Sequence, residues 1–336
     1  MLEAMQSFVG FLIVISLLVF VHEMGHYLAA RSFGISVEKF AIGFGPSLFK
    51  WKSRGTEWSI SAFPLGGYVA INEEEMCSRS SWQKIVVLIS GPVANFLLSF
   101  VMLLSLMISV GEFVPTAVVE RVSDGSVAAQ IGISDGDKIV SVNGQSVIGM
   151  HNVRRALKNS TLSNVTVVRD DERLELSVNN DDVVIDKDLG VIGRDQIDVV
   201  ERSWYGSILR SAYLTYSMSK NTLESLFDVA FRQKSIANLS GAIGIANATG
   251  IAIREGMVAF IRLTIILSIS LGALNLLPIP GLDGGQIFIC LIEMIIRRPL
   301  PDGLRNVIQV LGISFIAIII MLITINDIGK LFGFYG

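Results

Sequence analysis

Apolar residues gather in four blocks long enough to cross a membrane, since a hydrocarbon core about 30 Å thick takes roughly 20 helical residues. The first is the uncharged run from Phe8 to Val21, which resumes at Tyr27-Leu28-Ala29-Ala30 after His22, Glu23 and His26 interrupt it. A second runs from Ile85 to Val110 without a charge, a third from Leu263 to Leu277, and a fourth from Val307 to Ile325, stopping at Asn326-Asp327. Arg262 can snorkel at the start of the third block, and Pro278 and Pro280 break its far end. Ile287 to Ile296 is apolar but too short to cross alone. The first block lacks the basic start of a signal peptide and carries His and Glu where such a peptide is apolar, so it predicts a retained membrane helix.

Between the second and third blocks lie about 150 residues of mixed polarity, room for one small domain and a connector. Thr116 to Val122 reads as a strand, Asp124 to Ile133 as a short helix-forming stretch, and Lys138 to Val142 as an alternating strand closed by the Asn143-Gly144 turn. A helix over Asn152–Lys158 and strands around Thr166–Val168 and Leu174–Val178 complete a compact α+β unit. From Ser203 to Phe227, Trp204, Ile208, Ala212, Tyr216, Leu223 and Phe227 share roughly one helical face, with Arg210, Lys220 and Glu224 elsewhere. That predicts an amphipathic helix lying on the membrane or packing under the inserted domain. The fold class is an α-helical polytopic membrane protein with one inserted α+β domain. Its parts are a first membrane portion (1–110), the domain (113–195), the amphipathic connector (196–255) and a second membrane portion (256–336).

Composition sharpens this. Hydrophobic residues make up 51% of the chain and charged ones only 17%, against about a quarter charged in soluble proteins, which excludes a simple cytosolic globule. The net charge of −3 offers no basic field for nucleic acid. Cys77 and Cys290 fall in no paired motif, so any metal must use other ligands. The small net charge hides a division: residues 111–202 hold 16 acidic against 10 basic side chains, a net of −6, which leaves +3 for the rest. Arg31, Lys39, Lys50, Lys52, Arg54, Arg79 and Lys84 lie between the first two blocks, and Arg297, Arg298 and Arg305 precede the fourth. Such loops belong in the cytoplasm, placing the inserted domain and both termini outside.

The polar interruption of the first block is His22-Glu23-Met24-Gly25-His26. Residues four apart share a helical face, so both imidazoles can reach one metal ion, and Glu23 beside them can take a proton from metal-bound water. Ionisable groups inside a membrane segment are costly and mark function. A hydrolytic zinc wants three protein ligands and one open position. His151, the remaining histidine, belongs to the inserted domain, so the third ligand must be a carboxylate. Asp283 supplies one in the string Asn275-Leu-Leu-Pro278-Ile-Pro280-Gly-Leu-Asp283-Gly284-Gly285, where the broken helix frees backbone groups tolerable at membrane depth only beside a cavity. His22 and Asp283 share a side of the membrane only if an even number of crossings separates them, which keeps Ser203–Phe227 peripheral. A metal transporter could use the same ligands but would not account for Glu23 or the inserted domain, and a membrane scaffold would leave all four residues unused.

These motifs resemble a known family. H-E-x-G-H in a first membrane helix, Ser90-Gly91-Pro92-Val93-Ala94-Asn95-Phe96, N-x-x-P-x-P-x-L-D-G-G and Asn326-Asp327 look like a site-2 protease, the intramembrane zinc metalloproteases, nearest the RseP-like branch. The inserted run from Gly125 to Gly144 resembles a PDZ domain, with Leu189-Gly190-Val191 as the nearest candidate for its carboxylate-binding loop. The resemblance implies one zinc held by His22, His26 and Asp283, Glu23 as general base and then proton donor, and peptide-bond hydrolysis inside the membrane. It implies substrate contacts from Asn275, Asn95, Gly43, Gly45 and Pro278, with a polar link between helices as the other role open to Asn95. Phe40 to Pro46 and Trp58 to Ile71 would form a membrane-associated β-hairpin whose edge adds an unwound substrate strand. Substrates would be single-span membrane proteins already trimmed, such as an anti-sigma factor, or remnant signal peptides. The setting would be a bacterial inner membrane, with the active site toward the cytoplasm and the PDZ domain outside. Two departures stand out: room for one PDZ domain rather than two, and Ser240-Gly241-Ala242 where the family usually ends in proline.

Overall fold

In the first helix, α1 (Leu2–Ser32), Val14, Leu18, His22, His26 and Ala30 recur at every fourth position and are all buried. That spacing makes one continuous inward stripe, while Phe8, Ile13, Leu17 and Leu28 point outward. The structure, a computed structural model, describes residues 2–157, 164–170, 172–177, 190–231 and 241–331. It divides into two units, Met1–Ser105 with Ile208–Gly336, and Leu106–Ser207.

In the first unit, β1 (Val37–Ser53) and β2 (Thr56–Ile71) form an antiparallel hairpin turned at Arg54-Gly55, both in the left-handed region. Each strand pairs twice: Phe40 lies opposite both Val69 and Trp58, and Trp51 opposite Trp58 again. The strand must therefore bend between its halves, and Gly43 (φ 84°) and Gly45 (φ 87°) supply the bend at no steric cost. Among the described residues, the segment 67–71 pairs on one side only, with 37–42, and forms an edge. Phe40 stacks on Trp58 at 4.6 Å between ring centroids, and Tyr27 of α1 meets Trp58 edge-on at 5.2 Å, so the sheet is fastened to α1 next to His26. A short helix, α2 (Glu73–Ser78), is capped by Asn72, whose side chain accepts from the Glu75 N–H.

The helix α3 (Ser81–Ser109) follows. After the second unit come α6 (Trp204–Phe231), α7 (Ala242–Glu255), α8 (Met257–Asn275), α9 (Asp283–Ile296) and α10 (Asp302–Leu331). Among the described residues, four segments are long and apolar enough to cross a membrane: Met5–Ser32, Ser81–Ser109, Met257–Asn275 and Gly303–Gly329. These are the four blocks expected, and α6 is not among them. On α6 the small residues Ser207, Ser211 and Thr215 are buried, while Trp204, Tyr205, Tyr213 and Tyr216 point outward. α7 was not legible as an element of its own. It packs on α1 so closely that a Cβ on Gly250 would lie 1.8 Å from the Ser7 hydroxyl oxygen. Its start is capped from another helix, as buried Asp327 of α10 accepts from the Gly244 N–H at 3.0 Å.

The second unit contains β3 (Glu112–Val122), α4 (Val127–Ile131), β4 (Lys138–Val142), β5 (Gln145–Ser146), α5 (Gly149–Leu157), β6 (Asn164–Arg169), β7 (Glu172–Ser177) and β8 (Val191–Val200). The sheet runs β7-β6-β4-β3-β8, with β5 paired to β4. Ala117, Val119, Ile139, Val142, Val165 and Val167 from the strands and Met150 and Val153 from α5 form its core, with Ala117/Val119 and Val165/Val167 alternating as a one-sided antiparallel sheet requires. The expected strands and helix are present, and β8 is an addition that lengthens β3 back to Glu112. Leu189, Lys158, Val178 and Ser240, which end or begin expected segments, lie outside the described residues. Gly190 lies within them, with its carbonyl accepting from the Ser123 N–H at 2.8 Å.

Candidate metal centre

Two helices, α1 and α9, bring the sequence-predicted ligands together. His22 Nε2 lies 3.0 Å from Asp283 Oδ2, His26 Nε2 lies 3.4 Å from the same oxygen, and the two Nε2 atoms are 3.2 Å apart. His22 and His26 sit on the buried stripe of α1. Asp283 arrives from across the fold, as the first residue of α9. Leu282, not Asp283, is the cap residue of that helix, and no side chain caps it. The carboxylate is thus turned to the histidines rather than to its own helix end.

The turn that delivers Asp283 is built from glycine and proline. α8 stops before Pro278, and Gly281 takes φ 98°. A Cβ on Gly284 would lie 2.4 Å from the carbonyl oxygens of Leu276 and Leu277, and one on Gly285 would lie 2.3 Å from that of Ile279. Only glycines fit where the new helix folds back against the end of the old one. α10 braces the turn from outside: a Cβ on Gly312 would lie 1.9 Å from the Pro280 carbonyl oxygen.

The donor set fits a zinc ion. Two imidazole nitrogens and one carboxylate oxygen are the ligands of hydrolytic sites. Bonds of about 2.0–2.1 Å in a tetrahedron put ligand atoms about 3.3 Å apart, and the three separations here are 3.0, 3.2 and 3.4 Å. Gly91 of α3 keeps the space around them clear, since a Cβ there would lie 2.3 Å from His26 Nε2 and 2.8 Å from His22 Nε2. Gly25, inside the H-E-x-G-H string, permits that approach: its Cβ would meet the Ser90 carbonyl oxygen at 2.3 Å. His26 Nδ1 lies 2.8 Å from the Val87 carbonyl oxygen. A carbonyl only accepts, so Nδ1 carries the proton and Nε2 keeps its lone pair for a metal.

The sequence profile of peptidase family M50 matches residues 10–319. This chain belongs to peptidase family M50. It is similar over nearly its whole length to curated members of known organisms. A candidate zinc metalloprotease of Agrobacterium fabrum is 33% identical, covering 97% of this chain and 96% of its own. A candidate zinc metalloprotease of Clostridium acetobutylicum is 32% identical, covering 96% and 98%. The regulator of sigma-W protease RasP of Bacillus subtilis is 26% identical, covering 97% and 99%. The M50 chain is accordingly a zinc metallopeptidase of the site-2 type, and its four apolar helices make it a multi-pass membrane protein.

Other residues expected at the M50 site are placed as follows. The Glu23 carboxylate lies in the field of both histidines and Asp283 and faces the backbone N–H of Val69, on the free edge of β2. Strand and helix run side by side here, because a Cβ on Gly67 would lie 3.0 Å from Val19, one turn before Glu23. Asn95 is fully buried beside His22, its Nδ2 lying 3.2 Å from His22 Nδ1. Asn275 donates to the Leu271 carbonyl oxygen of its own helix at 3.0 Å. Pro278 is exposed at the helix break, and Gly43 and Gly45 form the bend of β1. Sequence reasoning missed Gly25, Gly91 and Gly312; a glycine conspicuous within an apolar helix was the only signal available for each.

Proposed function

We propose that this M50 protein hydrolyses peptide bonds inside the transmembrane segments of single-span membrane proteins, using one zinc ion per chain held by His22, His26 and Asp283. The observation that carries the reading is the convergence of those three ligand atoms with Glu23 beside them, His22, Glu23 and His26 lying in a helix apolar enough to cross the membrane. Held by His22, His26 and Asp283, a zinc ion would supply Lewis-acid chemistry, activating a water and polarising a carbonyl. Glu23 receives the proton of the attacking water and returns it to the leaving amine. Asp283 and the histidines hold their positions because glycines on α1, α3, α9 and α10 leave no slack between the backbones.

A peptide bond within a helix is shielded, so the substrate must first be unwound. The 67–71 edge passes directly beside Glu23, and a strand added there would present an extended backbone to the base. Phe44, Leu48, Phe49, Trp51 and Phe63 are exposed on the hairpin, which suits a sheet lying in lipid rather than in water. Asn275, Asn95, Gly43, Gly45 and Pro278 remain the proposed substrate-contacting set. Arg and Lys in the loops support an active site toward the cytoplasm and a second unit, PDZ-like in its strand and helix order, outside a bacterial inner membrane. Substrates in this reading are trimmed membrane proteins such as an anti-sigma factor, or remnant signal peptides.

Purified protein should bind about one zinc and cut a single-span model substrate. The Glu23→Gln variant should keep its zinc and lose at least 100-fold in cleavage, as expected for removal of a general base. Full cleavage by zinc-loaded Glu23→Gln would refute the mechanism.

A further inference from the structure

The two histidines are held by partners of different chemistry. His26 Nδ1 meets the Val87 carbonyl oxygen, an acceptor alone, so its tautomer is set whether or not a metal is present. His22 Nδ1 meets the side-chain amide of Asn95, which can either accept or donate. With Asn95 Nδ2 facing His22 Nδ1, the amide donates there, which puts the proton of a neutral His22 on Nε2, where it bonds Asp283 Oδ2 at 3.0 Å. That tautomer has no lone pair left at Nε2 for a metal. The Asn95 Oδ1 atom, meanwhile, is buried and has no hydrogen-bond partner among the described residues, which is costly unless it serves at another stage. The rest of Asn95 is anchored, since its backbone carbonyl accepts from Ser99 Oγ at 2.9 Å and from Ser268 Oγ of α8 at 2.8 Å. Only the carboxamide plane is left to turn.

We infer that Asn95 is a positioning residue for His22, whose amide turns over when metal binds: its oxygen then accepts the Nδ1 proton and holds the Nε2 lone pair toward the ion. The inference rests on the zinc reading above and assigns Asn95 a task at the metal rather than at the substrate. It also makes the site asymmetric, with His26 permanently ready and His22 made ready by its amide partner. A carboxylate in place of the amide would accept only, and an apolar side chain would do neither.

The chain has three histidines, so ring-nitrogen NMR on the full-length, 15N-histidine-labelled protein in detergent can resolve them. In zinc-loaded wild type, His22 should carry its proton on Nδ1 and bind through Nε2; without metal, the proton should move to Nε2 while His26 keeps Nδ1–H. Competition with a chelator should show Asn95→Leu binding zinc about 10–100-fold more weakly, the usual loss on removing a ligand's outer partner, and Asn95→Asp binding at least as tightly as wild type. Asn95→Leu with wild-type zinc affinity, or a His22 ring that keeps one tautomer with and without zinc, would overturn the inference while leaving the zinc site standing. Wild-type protein that takes up no zinc would overturn both. The wild-type spectra decide the matter even if Asn95→Leu does not fold.

Discussion

At the scale of single residues, the centre depends as much on absent side chains as on present ones. In the proposed centre His22, His26 and Asp283 would supply the donor atoms, but Gly91 determines whether they have room, because any Cβ there would sit against both Nε2 atoms. Gly91→Ala should therefore abolish zinc uptake while leaving the helices formed, a dissociation readable as metal content against circular dichroism; an alanine variant that retains full zinc would contradict it. Alanine is otherwise favoured over glycine in helices by about 1 kcal/mol, so loss of metal could not be put down to helix propensity. The H-E-x-x-H spacing made the histidines legible in the sequence. The Gly91 contact was not, since it depends on α3 crossing α1 at that residue.

At the scale of elements, legibility followed local periodicity. The four membrane blocks declare themselves by length, and β4 by its alternation ahead of Asn143-Gly144. β8 was missed because Val-Ile-Gly-Arg-Asp-Gln-Ile-Asp-Val-Val alternates weakly and carries charges; its strand form comes from pairing with β3, ten positions deep. The twofold pairing within the hairpin likewise follows from the bend at Gly43 and Gly45. In the second unit the β-sheet and its loops are tied at Asp137, whose fully buried carboxylate accepts from the Ser134 N–H at 2.8 Å and from Arg169 Nε and Nη2 at 2.7 and 2.8 Å. Asp137→Ala would remove all three hydrogen bonds at once and so lower the stability of this unit. A clear fall in the denaturation midpoint of this unit in the full-length protein is the expected result, and an unchanged midpoint would show that the cluster contributes nothing.

At the scale of the whole molecule, the acidic second unit and the basic membrane unit should respond differently to pH. In the second unit, the Lys138 ammonium bonded to Asp198 at 2.9 Å holds that carboxyl below the usual aspartate range, against an opposing effect of burial. A depressed carboxyl adds stability above its unfolded value, about 3.9, and loses it as the pH falls through the lower folded value. Both side chains are partly exposed, so the pair is worth about 0.5 kcal/mol. The stability gap between wild type and Asp198→Asn should thus be present at pH 7 and shrink from about pH 5 downward. A gap independent of pH would remove the pairing as its cause.

The sequence by itself determined which segments are long and apolar enough to cross a membrane, and it marked out the residues proposed to carry the chemistry. These are matters of apolar length and fourth-residue spacing, both local along the chain. Tertiary structure alone decided that Asp283, 261 positions from His22, is hydrogen-bonded to it, that Val69 on a sheet edge faces Glu23, and that Asn95 partners His22. Each is a contact between elements far apart in sequence. Their distances are set by how closely glycine-bearing backbones can approach, and no local pattern encodes that.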